Sequence, residues 1–170
     1  MISIPQAAER IRSGELVAFP TETVYGLGAN ALDANAVAKI YALKGRPATS
    51  PLIVHVASVE MAKSLVREWP PEADRLAERY WPGPLTLVLP KAAVIPDIVS
   101  AGLPTVGIRM PKHPIALELI RTASVPIAAP SANKFTGLSP TTSQHVRDAF
   151  GDGVPVDRKS TRLNSSHTDI

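Results

Sequence analysis

The sequence has no cysteine, so it can form neither a structural disulfide nor a thiolate metal site. Aromatic residues are only 5% of the 170, too few for an extended base-stacking surface. No apolar run approaches the roughly 20 residues that span a bilayer. The opening MISIPQAAERIRSGE lacks the basic and long apolar regions of a signal peptide, so a soluble cytoplasmic protein with no membrane partner is expected. An excess of charge is also missing. Up to Asp157 there are 15 Lys and Arg against 14 Asp and Glu, and Arg158, Lys159, Arg162 and Asp169 supply the rest of the formal +3. That balance gives no evidence for nucleic-acid binding, and any basic site has to be local. The motifs GxxxxGK[ST], GxSxG and HExxH do not occur, and four scattered histidines identify no base.

What is present is a chain of ordinary hydrophobic content, long enough for one domain with a sizeable core, and 17 prolines that fix many loop entries. Apolar periodicity predicts helices over 5–13, from the Asp33 cap to Leu43, over 59–69 after the Ser58 cap, over 70–81, over 114–123 and over 142–150. Short apolar runs predict strands at Leu16–Phe19, Leu52–Val56, Leu85–Leu89, Thr105–Met110 and in VPIAAPSAN. This alternation argues for an α/β fold around a mixed sheet. After Asp157 the segment RKSTRLNSSHTDI loses apolar periodicity and reads as a disordered or foreign tail over 158–170.

Four polar loops abut the predicted strands, a common way for an α/β scaffold to build a site. In FPTETVYGLGANA, Thr21, Glu22 and Thr23 either cap a turn or address a ligand. In KGRPATSP, Lys44 and Arg46 can converge on a polyanion with Ser50 adding a hydroxyl, or Lys44 can simply cap a helix C-terminus. In TVGIRMPKH, alternation puts Thr105, Gly107 and Arg109 on one face, away from Val106 and Ile108. A strand-interior Arg must face solvent, find a partner or line a polar cavity. His55 in LIVHV poses the same question, and a lone strand histidine is more often structural than catalytic. In APSANKFTGLSPTT, Ser131, Asn133, Lys134 and Ser139 could hold a phosphate or an adenine edge without a charge.

Taken together and in order, FPTETVYGLG, KGRPATSPLIVH, TVGIRMP and PSANKFTGLSPT resemble the YrdC/TsaC family of threonylcarbamoyl-AMP synthases, over about Ile4 to Asp157. The resemblance implies a single YrdC-like domain over 1–157, a twisted mixed sheet flanked by helices with a basic cavity. It implies a nucleotidyltransferase that turns L-threonine, bicarbonate and ATP into threonylcarbamoyl-AMP and pyrophosphate. That product serves a downstream tRNA threonylcarbamoyl transferase complex acting on adenosine 37, and weak tRNA or double-stranded RNA binding is a further implied property. Thr21, Thr23, His55, Arg109 and the backbone of Ala129 are implied on the threonine side. Lys44, Arg46, Ser50, Thr105, Ser131, Asn133 and Ser139 are implied on the ATP side.

Such a reaction needs no enzyme nucleophile. Threonine's amine attacks the carboxyl carbon from bicarbonate, and the resulting carbamate oxygen attacks the ATP α-phosphate and expels pyrophosphate. Positioning and charge neutralisation carry the catalysis, Mg²⁺ arrives with ATP, and no residue, Glu22 included, is assigned as general base. The sequence departs from the family pattern after VPVD, where a glycine-rich turn and GxxST and RxG segments are expected, so the chain reads as C-terminally truncated. Two other readings remain open: a non-catalytic RNA-binding module of the same fold, and a related carbamoyl-adenylate enzyme.

Overall fold

In the computed structural model, residues 2–22, 25–45 and 50–130 are described. Twelve elements follow in chain order: α1 (Ile4–Arg12), β1 (Val17–Pro20), β2 (Tyr25–Asn30), α2 (Ala34–Lys44), β3 (Ile53–His55), α3 (Val59–Lys63), α4 (Pro71–Tyr80), β4 (Leu87–Pro90), α5 (Asp97–Ser100), β5 (Thr105–Arg109), α6 (Pro114–Ala123) and β6 (Ile127–Ala128). The strands form one sheet in the order β1-β2-β6-β3-β5-β4. Among the described strands only β3 and β5 pair in parallel and the other neighbours are antiparallel, so the predicted mixed α/β sheet is present.

Local chemistry sets the helix ends. Ser3 and Gln6 form a reciprocal capping box at the start of α1. Asp33 accepts from the amides of Asn35 and Ala36 at the start of α2, and Ser58 accepts from Met61 at the start of α3, as their sequence positions predict. The helix expected over 59–69 stops at Lys63. Beyond it Val66 bridges to Lys91, while Arg67 N–H donates to Pro90 O and Ala92 N–H to Leu65 O. Pairing along the free edge of β4 gives those backbone groups partners that a longer helix would have taken from the sheet.

The second strand of the β1–β2 hairpin was not expected from the sequence. Tyr25–Asn30 reads YGLGAN, and two glycines normally argue against a strand. Here they make room. A Cβ on Gly28 would lie 2.7 Å from both the Phe19 ring and Ile127 Cγ2, so only glycine lets those side chains cross the strand. Short α5 was likewise unforeseen. The helix expected over 142–150 and the segment 158–170 lie outside the described residues.

Two apolar clusters occupy the two faces of the sheet. On one, α1 and α6 meet over Val17, Phe19, Ile127 and Ala129. On the other, Ala36, Val37 and Ile40 of α2 pack with Tyr25, Leu27, Val54, Val106 and Ile108. Each fully buried aliphatic side chain contributes about 1.5–3 kcal/mol of transfer free energy. The sheet is thereby fixed in register, and so is the face on which every polar strand residue emerges.

Candidate functional site

The parallel pairing of β3 with β5 sets Val54 opposite Ile108 and His55 opposite Arg109. Val54 and Ile108 enter the α2-side core, so alternation turns His55 and Arg109 to the other face. Thr105 and Gly107 share that face and are half-buried, as the sequence predicted, whereas Arg109 is only 8% exposed. At the usual strand rise, Thr105 and Arg109 stand about 13 Å apart along β5.

Arg109 is buried with one hydrogen-bonded nitrogen and one ion-paired nitrogen. Its Nε donates to Gly83 O at 3.1 Å, and its Nη2 lies 2.8 Å from Glu22 Oε1. The second contact is a close ion pair without the alignment of a hydrogen bond. Gly83 is suited to its place because a Cβ there would sit 2.5 Å from the Tyr80 carbonyl oxygen. Its own N–H donates to Met110 O, one residue beyond Arg109. The Glu22 carboxylate also accepts from the Lys112 N–H, at 3.1 and 3.2 Å from its two oxygens. Partial burial pushes the Glu22 carboxyl up. Its own backbone amide, the Arg109 guanidinium and the Lys112 amide together outweigh that and hold it below the ordinary carboxylate value.

His55 is buried between two strands and an aromatic ring. Its Nδ1 lies 3.2 Å from Ile127 O, and the Phe19 ring meets it edge-on at 6.1 Å. A carbonyl can only accept, so Nδ1 carries the proton. A neutral ring then leaves Nε2 as an acceptor. Burial, reinforced by the positive charge of Arg109, pushes the imidazole down to about 4, so it is neutral at ordinary pH. The structure thus brings together one cation, its carboxylate counter-ion and one uncharged ring.

The other predicted residues fall at three places. Ala129 lies beside this group, and its N–H already donates to Ile53 O, so any ligand contact by its backbone falls to the carbonyl. Thr21 is half-buried next to Glu22. Lys44 and Ser50 lie at the far end of α2. Lys44 is buried in the last turn, and the Tyr41 hydroxyl, 2.9 Å from both Ser50 O and Ile98 O, ties the returning chain to the helix. Thr23, Arg46, Ser131, Asn133 and Ser139 lie outside the described residues. Sequence reasoning missed four partners in this group: the Gly83 and Ile127 carbonyls, the Lys112 amide and the ring of Phe19. Backbone donors and acceptors carry no residue signature, and only the turn-forming WPGP marked Gly83 as a place where the chain bends. Among the described residues, no three His, Cys, Asp or Glu side chains gather where they could hold a metal ion, and no helix is long and apolar enough to cross a membrane.

A six-stranded mixed sheet flanked by helices, with polar side chains at the end of its one described parallel pair, defines an α/β domain. Residues 9–166 match the Sua5, YciO and YrdC family model, described as telomere recombination, and the chain belongs to this family. It is 55% identical over 166 residues to the threonylcarbamoyl-AMP synthase of Pyrococcus abyssi, covering 96% of this chain and 49% of that protein. To the enzyme of the same name from Bacillus subtilis it is 56% identical over 144 residues, covering 84% and 42%. The crystal structure of P. abyssi Sua5 complexed with L-threonine superposes with a TM-score of 0.88 at 57% identity, over 91% of this chain and 45% of that one. The chain therefore spans about half the length of these relatives.

Proposed function

We propose that this chain carries the synthase chemistry of its relatives: a nucleotidyltransferase that joins L-threonine, bicarbonate and ATP into threonylcarbamoyl-AMP with release of water and pyrophosphate. The observation that carries the reading is the His55–Arg109 row, a neutral acceptor beside a fixed guanidinium. That pair suits the ammonium or hydroxyl and the carboxylate of one small amino acid. It stands in a chain 57% identical to a protein solved with L-threonine. Thr21, Thr23 and the Ala129 carbonyl complete the threonine side of the proposal.

Thr105, about 13 Å along the same face, together with Lys44, Arg46, Ser50, Ser131, Asn133 and Ser139, belongs to the nucleotide side. These cations and hydroxyls would form the basic cavity. Arg109 neutralises the threonine carboxylate while His55 Nε2 accepts from a donor on the amino acid, which leaves the amine aimed at the carboxyl carbon. The cations on the ATP side favour charge building on the departing pyrophosphate. Mg²⁺ enters with ATP and neutralises its triphosphate. The described residues offer it no cage of side chains, and the Glu22 carboxylate is already engaged. The reading includes a cytoplasmic location, hand-over of the product to a tRNA threonylcarbamoyl transferase complex, weak RNA contact, and a domain over 1–157 with 158–170 outside it.

The test is pyrophosphate release from ATP and bicarbonate with each amino acid in turn. It is run on this chain and on a version extended with a relative's C-terminal portion. Release that depends on L-threonine is expected. Its absence from both proteins would overturn the reading.

A further inference from the structure

The geometry points to Glu22 as the positioning residue for Arg109, holding the guanidinium so that its remaining nitrogen faces the carboxylate of an amino-acid substrate. This rests on the functional reading above and adds a residue to it. An arginine side chain is long, and burial alone does not fix the plane of its head group. Here two anchors fix it. Gly83 O takes Nε from a backbone position that admits no side chain, and Glu22 takes Nη2. Neither contact uses Nη1.

Glu22 is itself immobilised, because the Lys112 N–H reaches both of its oxygens. That amide lies on the connection between β5 and α6, so Glu22 ties the β1–β2 hairpin to the strand end that carries Arg109. Its oxygens are committed to a guanidinium and an amide, which argues for holding Arg109 rather than taking a proton. His55 stands beside Arg109 as a neutral ring, so it adds no positive charge of its own to compete for a ligand carboxylate. The part of recognition that falls to Arg109 depends on where its guanidinium points, and Glu22 decides that.

The test measures binding of L-threonine and ATP separately to the full chain by titration calorimetry, in wild type, Glu22→Gln, Arg109→Gln and the double variant. Glu22→Gln keeps the side-chain shape and an oxygen for Lys112 but removes the charge. It should weaken L-threonine about tenfold, or about 1.4 kcal/mol, and leave ATP within about twofold. In the Arg109→Gln background the same change should alter L-threonine binding by less than about twofold, since its effect runs through Arg109. Unchanged or tighter L-threonine binding by Glu22→Gln overturns the inference, and so does an equal loss in both backgrounds.

A ligand-free readout separates this inference from the functional reading. The ¹⁵N signal of Arg109 Nε–H should be sharp and slowly exchanging in wild type and should broaden in Glu22→Gln. If wild type binds no L-threonine, the functional reading fails and this signal alone decides the role of Glu22. It also decides if Arg109→Gln binds too weakly to compare. An unchanged signal overturns the role.

Discussion

Two rows of side chains cross the parallel pair β3–β5 one residue apart, and they have opposite characters. Val54 and Ile108 are fully buried in an all-apolar cluster under α2. His55 and Arg109, the next pair along, face the other way and are held by a carboxylate, two carbonyls and a ring edge. The domain thus keeps a buried cation without weakening its core. Along β3 and β5 alternation sends the large apolar side chains to the α2 face, so at this pair the other face can carry charge wherever neighbouring loops supply partners, while β1 and β6 fill the rest of that face with a second apolar cluster. The largest effect should come from breaking the apolar row. Ile108→Ala deletes fully buried methyl groups and should cost about 2–5 kcal/mol in chemical denaturation. The affinity ratio between threonine and ATP should stay unchanged in whatever fraction remains folded.

The polar row can be stressed by pH alone. His55 is neutral in the fold down to about pH 4, whereas in the unfolded chain it gains a proton near 6.5. The unfolded state therefore binds the extra proton first as pH falls. Stability from this group is complete above about 6.5 and is lost progressively down to about 4, by on the order of 3 kcal/mol. The Glu22 carboxyl, lowered from 4.5, adds a further loss that begins only below that value. Urea denaturation between pH 7 and 4.5 isolates the histidine. A His55→Gln variant should flatten the slope in that window, and an unchanged slope would show that the imidazole is not held neutral.

The same contrast explains how much could be read from the sequence. The alternation in TVGIR was legible because Val106 and Ile108 are bulky and apolar while Thr105, Gly107 and Arg109 are not. The caps of α2 and α3 were legible because Asp33 and Ser58 act on amides two or three residues away. Strand β2 was not. The reason for Gly28 lies in Phe19 and Ile127, residues of two other strands. Nor could Glu22 be matched to Arg109, since a pairing across that much chain follows from the sheet order and not from any spacing. Local rules acting within a few residues survive in a single sequence. Tertiary partners, above all backbone carbonyls and amides, do not.

Gly28 offers a way to disturb the polar row from a distance. Gly28→Ala would set a methyl group 2.7 Å from the Phe19 ring and from Ile127 Cγ2. Phe19 packs edge-on against His55, and Ile127 supplies the carbonyl that receives its Nδ1–H. Overpacking of this kind costs about 1–3 kcal/mol. The shift should reach the imidazole, moving its ¹⁵N resonances, while Val54 and Ile108 methyl signals stay in place. Movement of both rows together would mean that the two faces are mechanically coupled.

The smallest effect on stability is expected at the outer end of the polar face. Thr105 begins β5 on the same face as Arg109 but is half-buried, and its strand partner is Pro90 at the sheet's edge. Thr105→Ala removes a hydroxyl that no core contact requires, so its cost should stay within about 0.5 kcal/mol. If the polar face spans amino acid at one end and nucleotide at the other, this nearly silent change should raise the KM for ATP several-fold and leave that for threonine unaltered. Equal changes in both would place the two substrates at one end of the strand. That would remove the argument that a row of alternating residues separates them.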